Sequence, residues 1–206
     1  MPKKIFFDLG NVLIDVDKQK AVELFAQEFK LGEEGIKKIA DSSLEKKFAE
    51  GKIGIDDYID QLNNIFNNAK NELTLQRVKE IWKHPFTKID STENILDSLR
   101  GQTDIFLLSN TNPLHILAVK EKYPALIPKF QKKIYSYDAG TSKPDQKIYE
   151  YALERTGVKP ENSIFIDDLE ENVDSARELG FYVHQYHNQE ELINFLQRHD
   201  FDVTKI

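Results

Sequence analysis

Four positions stand where short apolar runs end, and their side chains can do chemistry together. Asp8 follows Ile5-Phe6-Phe7, Ser109 follows Ile105-Phe106-Leu107-Leu108, and the pair Asp167-Asp168 follows Ile164-Phe165-Ile166. Lys143 comes just after the run 133–137, behind Gly140-Thr141-Ser142. Each alone says little. A Ser after a strand is usually a helix cap, a Lys before Pro a solvated loop residue, and an Asp pair a turn. Brought to one place they mean more. Carboxylates crowded together repel unless a cation neutralises them, and hard oxygen ligands suit Mg²⁺. A divalent metal plus Lys143 can neutralise a phosphoryl group, while the Ser109 hydroxyl and helix-start amides donate to its oxygens. Asp8, ionised and held in line, is then a nucleophile able to form an aspartyl-phosphate.

The elements around these residues supply the means of bringing them together. The run Lys4 to Phe7 reads as a short buried strand that Gly10 turns away. Val22, Phe25, Ala26 and Phe29 recur at helical spacing, predicting a helix over Lys18 to Phe29. From Glu33 to about His84 the pattern stays helical, with helices expected at Glu45–Phe48, Asp56–Phe66 and Thr74–Trp82. Gly51 and Gly54 bracket a turn, and Asn63 to Asn71 reads as a polar connection. Strand and helix then alternate. A helix N-capped by Ser91 runs to Leu99, and a strand covers Asp104–Leu108. Pro113 opens a helix, the next strand is Lys133–Tyr137, and Pro144 starts another helix. A strand over Ser163–Ile166, a helix over Glu171–Leu179, a strand over Phe181–Tyr186 and a helix over Gln189–Arg198 complete the series. Such alternation predicts an α/β fold, a parallel sheet covered on both faces. In such sheets ligands bind at the carboxyl ends of the strands. The helical block after the first strand predicts a separate cap.

Composition limits the partners. Thirteen Phe and eight Tyr supply a core, and the net charge of −7 comes from dispersed residues. That argues against a general nucleic-acid surface. With no cysteine, a thiol nucleophile and a zinc-thiolate site are excluded. The first apolar run is too short for a signal or membrane helix, so no membrane association is expected and a cytoplasmic protein is the default.

Four segments, in order, resemble the four motifs of the haloacid dehalogenase (HAD) superfamily. They are Phe7-Asp8-Leu9-Gly10-Asn11-Val12-Leu13, Leu108-Ser109-Asn110-Thr111, Ser142-Lys143-Pro144-Asp145 and Phe165-Ile166-Asp167-Asp168. The first motif and the Ser-Asn-Thr-Asn segment look most like a bacterial branch that includes an α-glucose-1-phosphate phosphatase. The resemblance implies a Rossmann-like core, residues 1–15 and 87–206, with a helical cap at 16–86. It implies Asp8 as nucleophile and metal ligand, the Gly10 carbonyl and Asp168 as further Mg²⁺ ligands, and Asp167 in the outer shell. Ser109 and Lys143 would grip the phosphoryl group with help from the Asn110 neighbourhood. Leu44 to Gly54 in the cap would choose the substrate, a small phosphorylated metabolite such as a sugar phosphate.

One departure stands out. Most phosphatases of the superfamily carry a second Asp two residues after the nucleophile, as general acid and base; here it is Gly10. The carbonyl survives that replacement, but the proton donor does not. Asp15 and Asp17 lie near in sequence, yet capping or surface roles are the simpler expectation for both. Gly10 therefore keeps open a catalytically silent fold member that binds a phosphorylated ligand or a protein. A 2-haloacid dehalogenase also lacks the second Asp, but that reaction uses no metal and leaves the pair Asp167-Asp168 without a purpose.

Overall fold

Alternation in the first strand sets two cores at once. In β1 (Lys4–Phe7), Ile5 and Phe7 join one buried cluster while Phe6 joins another. Successive strand side chains point to opposite faces, so a strand apolar at every position must be covered on both sides. The same split holds in β4 (Ile105–Ser109) and β6 (Ser163–Asp167): Leu107 and Ile166 lie on the first face, Phe106 and Phe165 on the second. Together with β5 (Lys132–Tyr135) and β7 (Tyr182–Gln185) they form a five-stranded sheet in the order β5-β4-β1-β6-β7, every pairing parallel. The chain works outward from β1 through β4 to β5, then lays β6 and β7 on the other side of β1. The reversal falls beside β1, where open α/β sheets bind ligands. The structure, a computed structural model, describes residues 3–30, 32, 43–66 and 73–203.

A helical insert leaves the sheet after β1 and returns before β4. Its ends are two strands the sequence pattern does not betray, β2 (Ile14–Val16) and β3 (Phe86–Lys88). They pair antiparallel with Val16 opposite Phe86. Between them lie α1 (Lys18–Phe29), α2 (Leu44–Ala49), α3 (Ile55–Phe66) and α4 (Leu75–Lys83). Phe25, Phe29, Phe48, Tyr58, Leu62 and Val78 give this insert a core of its own. Helix expected from Glu33 into the early forties lies outside the described residues, as do positions 67–71 of the expected Asn-rich connection. Asn63 belongs to α3 rather than to that connection. Its side chain bonds both backbone groups of Leu73, which ties the helix end to the start of the next segment.

The remaining helices cover the sheet: α5 (Asp90–Leu99), α6 (Pro113–Lys122), the single turn α7 (Ser136–Ala139), α8 (Gln146–Thr156), α9 (Glu170–Glu178) and α10 (Gln189–Gln197). Helices α5, α6 and α10 fill the first face; α8 and α9 fill the second. Two expected starts move. Asp145, not Pro144, begins α8, because its carboxylate accepts from the Lys147 amide. Helix α5 begins at Asp90, where Ile89 N–H is already bonded to Leu13 O and no side chain caps it.

The insert is fixed to the core along α4. Lys79 and Lys83 both pair with Glu121 of α6, and Lys122 Nζ donates to Phe86 O (2.6 Å) in β3 and to Lys83 O (2.8 Å) at the C-terminal end of α4. Lysine there also meets the negative end of the helix dipole. Leu114, in the first turn of α6, is fully buried among the insert's apolar residues. Farther along, a Cβ on Gly51 would lie 2.1 Å from Tyr137 O, and Gly51 has φ +64°. Only glycine fits there on both counts, and the turn after α2 thereby rests on α7. Among the described residues no helix is long and apolar enough to cross a membrane.

Candidate active site

Three strand ends and one loop converge at the sheet's carboxyl edge. Asp8 follows β1, Ser109 ends β4, Asp167 ends β6 and Asp168 follows it. Lys143 reaches them from the loop after α7. Its Nζ donates to Asp8 Oδ1 at 2.8 Å, Asp167 Oδ2 at 2.6 Å and Leu108 O at 3.0 Å, with the side chain 1% exposed. One buried ammonium thus meets two buried carboxylates. Sequence reasoning brought Lys143 to this edge for a phosphoryl group and missed these ion pairs; they join residues far apart in the chain.

The loops that carry these groups are tied together. Asn110 Nδ2 donates to Lys143 O, and the Lys143 amide donates to Asn110 Oδ1, both at 2.8 Å. The Ser136 hydroxyl donates to Thr111 O (2.9 Å) and accepts from Thr111 N (3.0 Å). Asn112 then caps α6 by accepting from the His115 amide. Ser109, Thr111, Asn112 and Ser136 are all buried. The bonds of Asn110, Asn112 and Ser136 fix these loops, since buried polar groups so satisfied resist rearrangement.

Asp8, Asp167 and Asp168 each offer an oxygen, all within 4.8 Å of one another. Their surroundings differ. Asp167 is wholly buried; its Oδ1 accepts from the Leu169 amide and from Asn172 Nδ2, both at 2.9 Å, and its Oδ2 takes Lys143. Asp168 is half-buried, and its Oδ2 accepts from Asn11 Nδ2 at 2.9 Å. The Gly10 backbone runs beside Asp8, so that a Cβ at position 10 would sit 3.9 Å from Asp8 Oδ2 and 3.8 Å from Val16 Cγ2. This donor set fits Mg²⁺: hard oxygens, more negative charge than one lysine balances, and carboxylates oriented by neighbouring hydrogen bonds. Asn172 and Asn11 had no assigned role from sequence. For Asn11 the signal was its place in the first motif; for Asn172 there was none.

Burial drives the Asp8 carboxyl up to about 7, against the attraction of Lys143, and the Asp167 charge adds to the rise. The same burial works against the Lys143 ammonium, but Asp8 and Asp167 hold it above the usual lysine range. The sign for stability follows. Asp8 titrates near 3.8 unfolded and near 7 folded, so without metal its contribution is best at low pH and worsens between about pH 4 and 7. Asp8→Asn removes that loss. In chelator, the variant is expected to be more stable than wild type by on the order of a few kcal/mol above pH 7, and by little at pH 4. Urea unfolding at the two pH values checks it; a gain larger at pH 4 contradicts the assignment.

The two nearby carboxylates behave as the bland expectation had it. Asp17 caps α1, accepting from the Lys20 amide at 2.8 Å, and Asp15 is exposed on β2.

Comparison with known proteins agrees with this arrangement. The D-ribitol-5-phosphate phosphatase of Bacteroides thetaiotaomicron is 30% identical over 198 residues, covering 91% of this chain and 93% of that protein. A HAD family enzyme from the same organism, crystallised with magnesium and inorganic phosphate, superimposes with a TM-score of 0.79 at 26% identity, covering 91% of this chain and 95% of its own. A predicted HAD-like family hydrolase from Porphyromonas gingivalis gives 0.81 at 30% identity, with 96% and 97% coverage. The family model described as haloacid dehalogenase-like hydrolase matches residues 2–180, from the strand before Asp8 to past the Asp167-Asp168 pair. With all four motifs gathered at one sheet edge, the chain belongs to the haloacid dehalogenase-like hydrolase family.

Proposed function

We propose that the chain is a Mg²⁺-dependent phosphatase acting on a small phosphorylated sugar or polyol through an aspartyl-phosphate on Asp8. The observation that carries this reading is the buried Lys143 ammonium held between Asp8 and Asp167 at the carboxyl edge, with Asp168 alongside. In the first step an Asp8 oxygen bonds to phosphorus as the ester oxygen leaves with the sugar or polyol. In the second, water attacks phosphorus, the acyl-phosphate P–O bond breaks, and inorganic phosphate departs as the Asp8 carboxylate is restored. Lys143 and Ser109 would grip the phosphoryl oxygens, and the hydrogen bonds of Asn110 to the Lys143 backbone, which join the two loops that carry them, support this.

Asp8, the Gly10 carbonyl and Asp168 would hold the ion, leaving Asp167 outside. Its two oxygens already accept three hydrogen bonds, which supports that division. When bound, Mg²⁺ supplies charge neutralisation at the phosphoryl group and favours ionised Asp8.

The insert, residues 16–86, serves as the cap in this reading. The seat of Gly51 against Tyr137 supports Leu44 to Gly54 as the substrate-facing stretch. The relative that acts on D-ribitol-5-phosphate supports a polyol phosphate, whereas Gly10 favours esters with acidic leaving groups, such as sugar-1-phosphates. A panel separates them: phosphate release from D-ribitol-5-phosphate, sugar-1- and sugar-6-phosphates, nucleotides and p-nitrophenyl phosphate, with Mg²⁺ and with chelator. Mg²⁺-dependent release from a small ester is expected. Gly10 also favours a second reading, a silent phospholigand binder. Intact Mg²⁺ binding without turnover of any ester would establish that reading instead.

A further inference from the structure

Asn11 belongs to the first motif, yet the proposed reaction gives it nothing to do. Its backbone is left-handed, φ +53°, a conformation glycine adopts most easily and Asn tolerates. The backbone alone therefore does not call for an amide side chain here. That side chain has two engagements. Oδ1 accepts from the Val16 amide at 3.4 Å within the local turn, and Nδ2 donates to Asp168 Oδ2 at 2.9 Å across 157 residues of sequence. The first bond fixes which end of the amide faces Asp168.

The chemistry of the donor matters. Asp167 is held by a cation, Lys143, besides its neutral donors. Asp168 is held by a neutral amide, which orients a carboxylate without cancelling its charge. A ligand destined for a divalent cation needs that kind of partner: one oxygen tethered, the other kept anionic and aimed. We infer that Asn11 is a positioning residue for the metal site, tethering Asp168 Oδ2 so that the carboxylate is set for Mg²⁺ before the ion arrives. The inference rests on Asp168 being a metal ligand, as proposed above.

Asn11→Gly keeps the left-handed backbone while removing both the Asp168 tether and the long Val16 turn bond, and the melting temperature in chelator reports any cost of the second. Mg²⁺ binding is measured by calorimetry for wild type, Asn11→Gly and Asp168→Ala, with melting temperatures recorded in chelator and in saturating Mg²⁺. For Asn11→Gly the expected result is a Mg²⁺ dissociation constant raised about 10- to 100-fold. Its melting temperature in chelator should match wild type, and kcat should return to within a few-fold once Mg²⁺ saturates. Asp168→Ala should lose at least as much affinity. If Asn11→Gly binds Mg²⁺ within two-fold of wild type while Asp168→Ala does not, Asn11 serves the turn alone and the inference falls, with the site reading intact. If Asp168→Ala also binds like wild type, the assignment of Asp168 falls and takes the inference with it.

Discussion

Asp8→Asn is expected to fold, to keep the Lys143–Asp167 pair and to lose turnover by roughly 10⁴-fold or more, the scale on which deleting a covalent nucleophile leaves only binding and electrostatic assistance. Asn matches Asp in shape, so the buried pocket at the end of β1 has no cavity to collapse. Lys143 retains an anionic partner at 2.6 Å and a carbonyl at 3.0 Å. The amide nitrogen, in contrast, cannot attack phosphorus, and the carbonyl oxygen of a neutral amide is a poor substitute for a carboxylate. Single-turnover and steady-state assays on p-nitrophenyl phosphate, with the purified variant checked for folding, measure the loss. Activity above about a tenth of wild type would rule out the covalent route and return Asp8 to the role of metal ligand only.

The second large effect is expected at Gly10. With no proton donor two residues beyond the nucleophile, bond cleavage must tolerate a leaving oxygen that departs largely unprotonated. Wild-type kcat should then fall steeply as leaving-group pKa rises, from p-nitrophenol through anomeric hydroxyls to primary alcohols. Gly10→Asp supplies the missing acid. The structure permits the change: Gly10 is not among the residues of positive φ, and a Cβ there meets Val16 Cγ2 at 3.8 Å and Asp8 Oδ2 at 3.9 Å, both ordinary contacts. The new carboxyl would start beside Asp8 Oδ2 while leaving the backbone carbonyl in place. Rates on primary alkyl phosphates are expected to rise by about 10²–10⁴-fold, the usual worth of a positioned general acid, with little change on p-nitrophenyl phosphate. The measurement is kcat against leaving-group pKa for both proteins. A flat wild-type line, with chemistry limiting the rate, would show that another residue already delivers the proton.

Much of this was legible in the residues because the sheet is buried on both faces. Parallel strands covered on both sides read as unbroken apolar runs, and β4 and β6 did so, each ending on a residue of the candidate site. The bounds of helix α1 were legible to the residue, and Asp17 caps it, but its buried face is Ala21, Phe25 and Phe29 while Val22 stays exposed. Most of what escaped depends on a partner that the local pattern does not name. β2 and β3 are three residues each, too short to show a period, and they exist because they pair with one another. Asn63 looked like loop until Leu73 arrived to take both ends of its amide. Asp145 outranked Pro144 as a helix start because a carboxylate can bond an amide and a proline ring cannot. At the site the residue types were readable, but the tethers were not. Asn172 bonds Asp167 only five residues back, once the chain turns from β6 into α9, and Asn11 bonds Asp168 across 157 residues; neither bond shows in the residue types alone.

The place of β1 at the middle of the sheet also dictates an order of assembly. Ile5 pairs with Ile105 on one side and Ile164 on the other. As the chain leaves the ribosome, β1, the first strand of this sheet, waits for its partners through the whole insert and beyond. The insert has its own apolar core and can consolidate in that interval, whereas Ile5, Phe6 and Phe7 stay unpaired. Closing such long loops is slow, and an uncovered apolar strand invites association with other chains. Lys3 and Lys4 in front of the run and Asp8 behind it bracket the segment with charge, which blunts that hazard. The carboxylate proposed as the nucleophile also guards the nascent strand.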